Sequence, residues 1–161
     1  MAKPGDKIYV SHKLGLSAFG LDLLLERKAK GSSDAVNAHL NPTAEIALGR
    51  KLIGLASSCM DISDGLLKDL TRLCKASKVG AELDALDQVI HPALPADKAR
   101  DYALNGGEEF ALLFTAPASQ KVPKGCVRIG RIVRGQGCYE IVGSEKKLLT
   151  AQGYDHFVSR T

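Results

Sequence analysis

The chain has 161 residues, 45% of them apolar and 25% charged, long enough to bury one real core and too aliphatic for disorder. No apolar run reaches the roughly 20 residues that a membrane-spanning helix needs, and a net charge of +4, spread along the chain, is a weak footprint for nucleic-acid binding. Four cysteines without a C-x-x-C pair, beside four scattered histidines, exclude a zinc spacing and a dense disulfide framework. They read as the reduced thiols of a cytoplasmic protein, since the start MAKPGDKIYV lacks the apolar core of a secretion signal.

In chain order, DKIYV (6–10) reads as a short strand, and KLGLSAFGLDLLLERK (13–28) as a helix so apolar all round that it should be largely buried. AKGSSDAVNAHLNP (29–42) reads as loop. From Thr43, a plausible N-cap, a second helix places Leu48, Leu52 and Leu55 on one face. SSCMDI (57–62) reads as a strand, followed by a helix over 65–75 with Leu66, Leu67, Leu70, Leu73 and Cys74 at helical spacing and Lys68, Asp69, Arg72 and Lys75 elsewhere. VGAELDAL (79–86) suggests a strand, PADKARDYAL (95–104) a helix, and EEFALLFT (108–115) an interior strand apolar on both faces. VRIGRIV and CYEIVG, split by RGQG (134–137), look like a hairpin. No repeat or internal boundary interrupts this order. Strands and helices mix without strict βαβ alternation, which favours one α+β domain, a mixed sheet with helices packed on one face.

Three stretches carry chemistry. In MDISDG, Asp61 ends a strand and Asp64 precedes a helix, so both carboxylates could converge on a hard cation, with Ser63 as a hydroxyl donor to phosphate. Equally, Asp64 could merely cap the helix while Asp61 stays solvated. In NGGEEF (105–110), paired glycines permit a sharp turn or a close approach, and Glu108 and Glu109 then project to opposite faces of the next strand. Near the end, GYDHF (153–157) offers Tyr154 and Phe157 either as anchors of the tail or as a stacking surface, whereas His156 has no second histidine at ligand spacing.

Taken together, MDISDGLLKDL, VGAELD, NGGEEFALLFT, RIGRI and GYDHF, in this order, strongly resemble thiamine-monophosphate kinases. KPGDKIYVSHKLG resembles the entry into that family's second domain. The resemblance implies a fold similar to the C-terminal domain of aminoimidazole-ribotide synthase. It also implies ATP-dependent phosphorylation of thiamine monophosphate to thiamine diphosphate, with Mg²⁺ between the anions. Joining two negative phosphates calls for charge neutralisation and in-line positioning more than covalent help from the protein. By the same likeness Asp61 and Asp64 would bind Mg²⁺, Ser63 would touch ATP, Glu108 would contact the thiamine substrate, and Tyr154, or alternatively Phe157, would pack on its rings.

The likeness covers only the C-terminal half of a two-domain enzyme. It therefore implies a missing N-terminal domain that supplies further acids, most of the ATP site and a homodimer interface, so the isolated chain should be inactive. One local departure stands out: Glu109-Phe110-Ala111 replaces the family's usual Asp-Tyr-Glu. The alternative is a stand-alone, non-catalytic module of the same fold that binds a ligand or partner.

Overall fold

The computed structural model describes residues 1–27 and 33–150. Its strands are β1 (Lys7–Val10), β2 (Ser58–Asp61), β3 (Gly80–Leu83), β4 (Leu112–Ala116), β5 (Val127–Val133), β6 (Cys138–Val142) and β7 (Glu145–Leu148). The helices are α1 (Leu16–Leu25), α2 (Asp34–Leu40), α3 (Ile46–Leu52), α4 (Leu66–Ser77) and α5 (Ala99–Asn105), with a 3₁₀ turn at Leu86–Val89. All seven strands form one mixed sheet in the order β2-β4-β1-β5-β3-β6-β7, antiparallel except for the parallel pair β3 and β6. The fold is α+β.

Alternation along β1 turns Ile8 and Val10 inward, both fully buried, while Lys7 and Tyr9 stay partly exposed on the other side. On the inward face they join Leu113, Ile129, Ile132, Ala81 and Leu83 in one apolar cluster with α4 (Leu66, Leu70, Leu73, Cys74) and α5 (Ala103, Leu104). The expected apolar stripe of α4 is what faces the sheet. On the reverse face Tyr9 stacks on Phe114, its register partner, with ring centroids 5.2 Å apart.

Several local expectations are corrected. RGQG does not close a hairpin: β3 lies between β5 and β6, with Gly80 opposite Val133 and Ala81 opposite Cys138. The gap is two strand spacings, about 10 Å, which a four-residue link spans, so the local pattern suits either arrangement. The true hairpin is β6 with β7, turning at Gly143-Ser144. Residues 29–42 are not all loop, since Ser33 caps α2 by accepting from the Val36 amide at 3.2 Å. Thr43 is not the cap of α3; Glu45 occupies that position, without a side-chain bond. Only Ser17 and Gly20 of α1 are buried, and Leu25 is 73% exposed, because α1 packs chiefly along the short α2, which covers one side of it.

Candidate functional site

Pairing of β2 with β4 brings two of the motifs together. Asp61, the last residue of β2, lies opposite Leu112, the first of β4. Beyond the strands the ladder continues: Ile62 N donates to Ala111 O at 2.8 Å, Phe110 N to Ile62 O at 2.9 Å, and Glu108 N to Ser63 O at 2.9 Å. Residues 62–65 and 106–111 therefore run side by side, backbone against backbone. Two glycines permit this approach. A Cβ on Gly65 would stand 2.7 Å from Asn105 O, and one on Gly107 would stand 2.7 Å from Ser63 O.

The expected strand over 108–115 is corrected by the same geometry. β4 begins only at Leu112, and Glu108 and Phe110 adopt left-handed backbone angles, with φ of 60° and 51°. Glu108 and Glu109 thus belong to a loop, not to opposite faces of a strand. Glu108 points to solvent beside Ser63, whereas Glu109 is half-buried and turns toward α1.

At the other loop Asp61 is exposed, while Ser63 and Asp64 are half-buried. Asp64 does not cap α4; Gly65 holds that position. The Asp64 carboxylate instead meets Arg72 Nη2 at 2.6 Å and Lys68 Nζ at 3.4 Å. Partial burial works against its charge, but the Arg72 hydrogen bond and the two cations outweigh this and hold its pKa below the usual aspartate value. Tyr154, Phe157 and His156 lie outside the described residues.

Two acids that sequence reasoning placed elsewhere matter here. Asp69, assigned to the polar side of α4, is completely buried, and its Oδ2 accepts from the Ser63 and Asp64 amides. A signal existed: position 69 falls within the stripe set by Leu66, Leu70 and Leu73, where a charge demands partners. Glu109 Oε1 accepts from the Gly15 and Ser17 amides at 2.9 and 3.1 Å, serving the open N-terminus of α1 from across the fold. No local pattern reports a cap supplied from so far along the chain.

Glu109 also lines a groove of about 660 Å³ together with His12, Lys13, Asn37, Glu45 and His91. Asp61, Ser63, Asp64 and Glu108 lie outside its lining. Asp61 and Asp64 offer hard oxygen donors of the kind Mg²⁺ takes. Among the described residues no group of three or more His, Cys, Asp or Glu gathers to hold a metal by itself. A divalent ion at these carboxylates would thus be shared with oxygens from elsewhere, such as phosphate. Among the described residues no helix is long and apolar enough to cross a membrane.

Comparison with known proteins agrees with this architecture. Residues 3–143 match the family model for AIR synthase related protein, C-terminal domain. The chain is 36% identical to thiamine-monophosphate kinase of Escherichia coli K12 over 98% of its own length and 54% of that protein's, and 34% identical to the enzyme of Pyrococcus abyssi over 96% and 51%. It superposes on the structure of AaThiL complexed with AMPPCP and TMP with a TM-score of 0.85 and 34% identity, covering 97% of this chain and 52% of that one. The hydrogenase maturation protein HypE of E. coli, at 18% identity and a TM-score of 0.66, shares the fold alone. The chain spans about half the length of the curated relatives it matches. With the family model covering most of its residues, and the sheet and helices arranged as in these relatives, the chain belongs to the AIR synthase related family, as a C-terminal domain similar to that of thiamine-monophosphate kinases.

Proposed function

We propose that this domain is the C-terminal half of a cytoplasmic thiamine-monophosphate kinase, transferring the γ-phosphoryl group of ATP to thiamine monophosphate. The observation that supports the reading is the side-by-side run of residues 62–65 and 106–111, in which Glu108 N donates to Ser63 O, between Asp61 and Asp64 in the chain. A relative 34% identical is complexed with AMPPCP, an ATP analogue, and TMP.

In this reading Asp61 and Asp64 hold Mg²⁺, which supplies charge neutralisation for the phosphates when bound. Ser63 offers its hydroxyl to ATP, and Glu108, exposed on the adjoining loop, accepts from an amine of the thiamine moiety. Tyr154, with Phe157 as the alternative, supplies the aromatic face for its rings. The chain's own contribution is to orient these groups. Further acids, most of the nucleotide site and a homodimer contact come from the N-terminal half found in longer relatives.

The test uses the complete two-domain polypeptide. Asp64→Asn should lower phosphoryl transfer by about 100-fold or more while the fold persists. Glu108→Gln should raise the KM for thiamine monophosphate more than that for ATP, and Ser63→Ala should do the reverse. The isolated chain should show only background turnover. Near-normal turnover by Asp64→Asn refutes the metal assignment, and a complete polypeptide that binds ligand without turnover would favour a non-catalytic module.

A further inference from the structure

Asp69 is fully buried, and a buried carboxylate is costly unless its oxygens are paired. Both are. Oδ2 accepts from the Ser63 and Asp64 amides at 3.0 Å each, and Oδ1 accepts from Arg72 Nη1 at 2.8 Å. The same guanidinium reaches Asp64 Oδ2 through Nη2 at 2.6 Å. These contacts close a ring: the backbone of 63–64, the Asp69 carboxylate, the Arg72 guanidinium and the Asp64 carboxylate.

The ring differs from an ordinary helix cap. A cap accepts from amides inside the first helical turn, whereas Asp69 reaches backwards from that turn to two amides that precede Gly65. What it fixes is the loop. Meanwhile Arg72, its side chain 48% exposed, occupies an Asp64 oxygen with positive charge, seconded by Lys68. A divalent ion arriving at Asp64 competes with that charge.

We infer that Asp69 is a positioning residue that holds the Ser63–Asp64 backbone in its ligand-receiving shape, and that Arg72 is the resident counter-ion of Asp64 that a divalent ion must outcompete. The inference rests on the metal reading proposed above and goes beyond it by assigning work to two residues to which that reading gives no role.

The isotope-labelled 161-residue chain allows both halves to be tested, by amide hydrogen exchange and by paramagnetic broadening on titration with Mn²⁺, without and with inorganic triphosphate. Asp69→Asn should speed exchange at the Ser63 and Asp64 amides by about tenfold or more while leaving Ile8 and Val10 unchanged. A merely structural role would raise exchange across α4 and the sheet alike. Arg72→Met should keep both amides protected yet tighten Mn²⁺ binding at the loop by about threefold or more. A folded Asp69→Asn chain with unchanged Ser63 and Asp64 amides overturns the positioning role. Unchanged or weakened Mn²⁺ affinity in Arg72→Met overturns the counter-ion role. Should Asp69→Asn fail to fold, the unaltered chain decides the positioning role: Ser63 and Asp64 amides that exchange as fast as in an unfolded peptide would overturn it. Absence of Mn²⁺ broadening at residues 61–64 of the unaltered chain, with inorganic triphosphate present as well as without it, would refute the metal reading and the Arg72 role together, while the exchange measurement still decides Asp69.

Discussion

Glu109 accepts the Gly15 and Ser17 amides at the start of α1 with one oxygen, yet burial pushes its pKa above the ordinary glutamate value of 4.5, with these bonds only partly offsetting the shift. The folded state therefore binds more protons than the unfolded chain between pH 4.5 and the raised value, so this group's contribution to stability falls as pH rises through that window. Glu109→Gln keeps an accepting oxygen and removes the charge. Its stability relative to the unaltered chain should be higher at about pH 7.5 than at about pH 4, read from urea midpoints; the opposite order would refute the burial argument. Asp61, Ser63, Asp64 and Glu108 stand in short local motifs and were legible as candidates in the sequence. Glu109 was legible only as one of the two acids of NGGEEF and Asp69 only as a charge within an apolar stripe, because what gives each its role is a set of amides that only folding brings to it.

At the scale of elements, the junction of the two loops depends on backbone approach. Gly65 has φ of 109° and would place a Cβ 2.7 Å from Asn105 O, whereas Gly5, with φ of 98°, would meet nothing within 4 Å. Both alanine variants pay for left-handed backbone, but only Gly65→Ala also forces the loops apart. Its thermal unfolding should show a loss larger than that of Gly5→Ala by about 1–3 kcal/mol; equal losses would mean that contact with residue 105 is not what selects glycine. The elements themselves divide in the same way. α4 was legible from its apolar spacing, while the pairing of β6 was not, since β5-turn-β6 and β6-turn-β7 have equally plausible turn residues.

For the whole molecule the consequential feature is the position of β1. The first strand of the chain is an inner strand of the sheet, hydrogen-bonded to β4 on one side and β5 on the other, with Lys7 opposite both Ala116 and Arg131. Ile8 and Val10 bury completely against the helices. Deleting residues 1–10 therefore leaves two unpaired edges and a gap in the core, a loss comparable to the typical total stability of about 5–15 kcal/mol. A shortened chain of residues 11–161 should show no cooperative thermal transition by circular dichroism; a native-like melt would refute this account of the sheet.

Composition and periodicity by themselves determined that the chain folds as an α+β unit, where α4 and most of the inner strands lie, and where the acidic and glycine motifs fall along it, but not α2 or β7, nor that residues 108–111 are loop. These properties are local: they follow from side-chain alternation, helical spacing and turn chemistry within a few residues. Strand order, the insertion of β3 between β5 and β6, and the run of the MDISDG and NGGEEF loops against each other were decided only by tertiary structure. The physical reason is that hydrogen bonds between strands carry no record of their partner in either sequence, so that pairing is selected by the shared burial of Ile8, Val10, Leu113, Ile129 and Ile132 against α4.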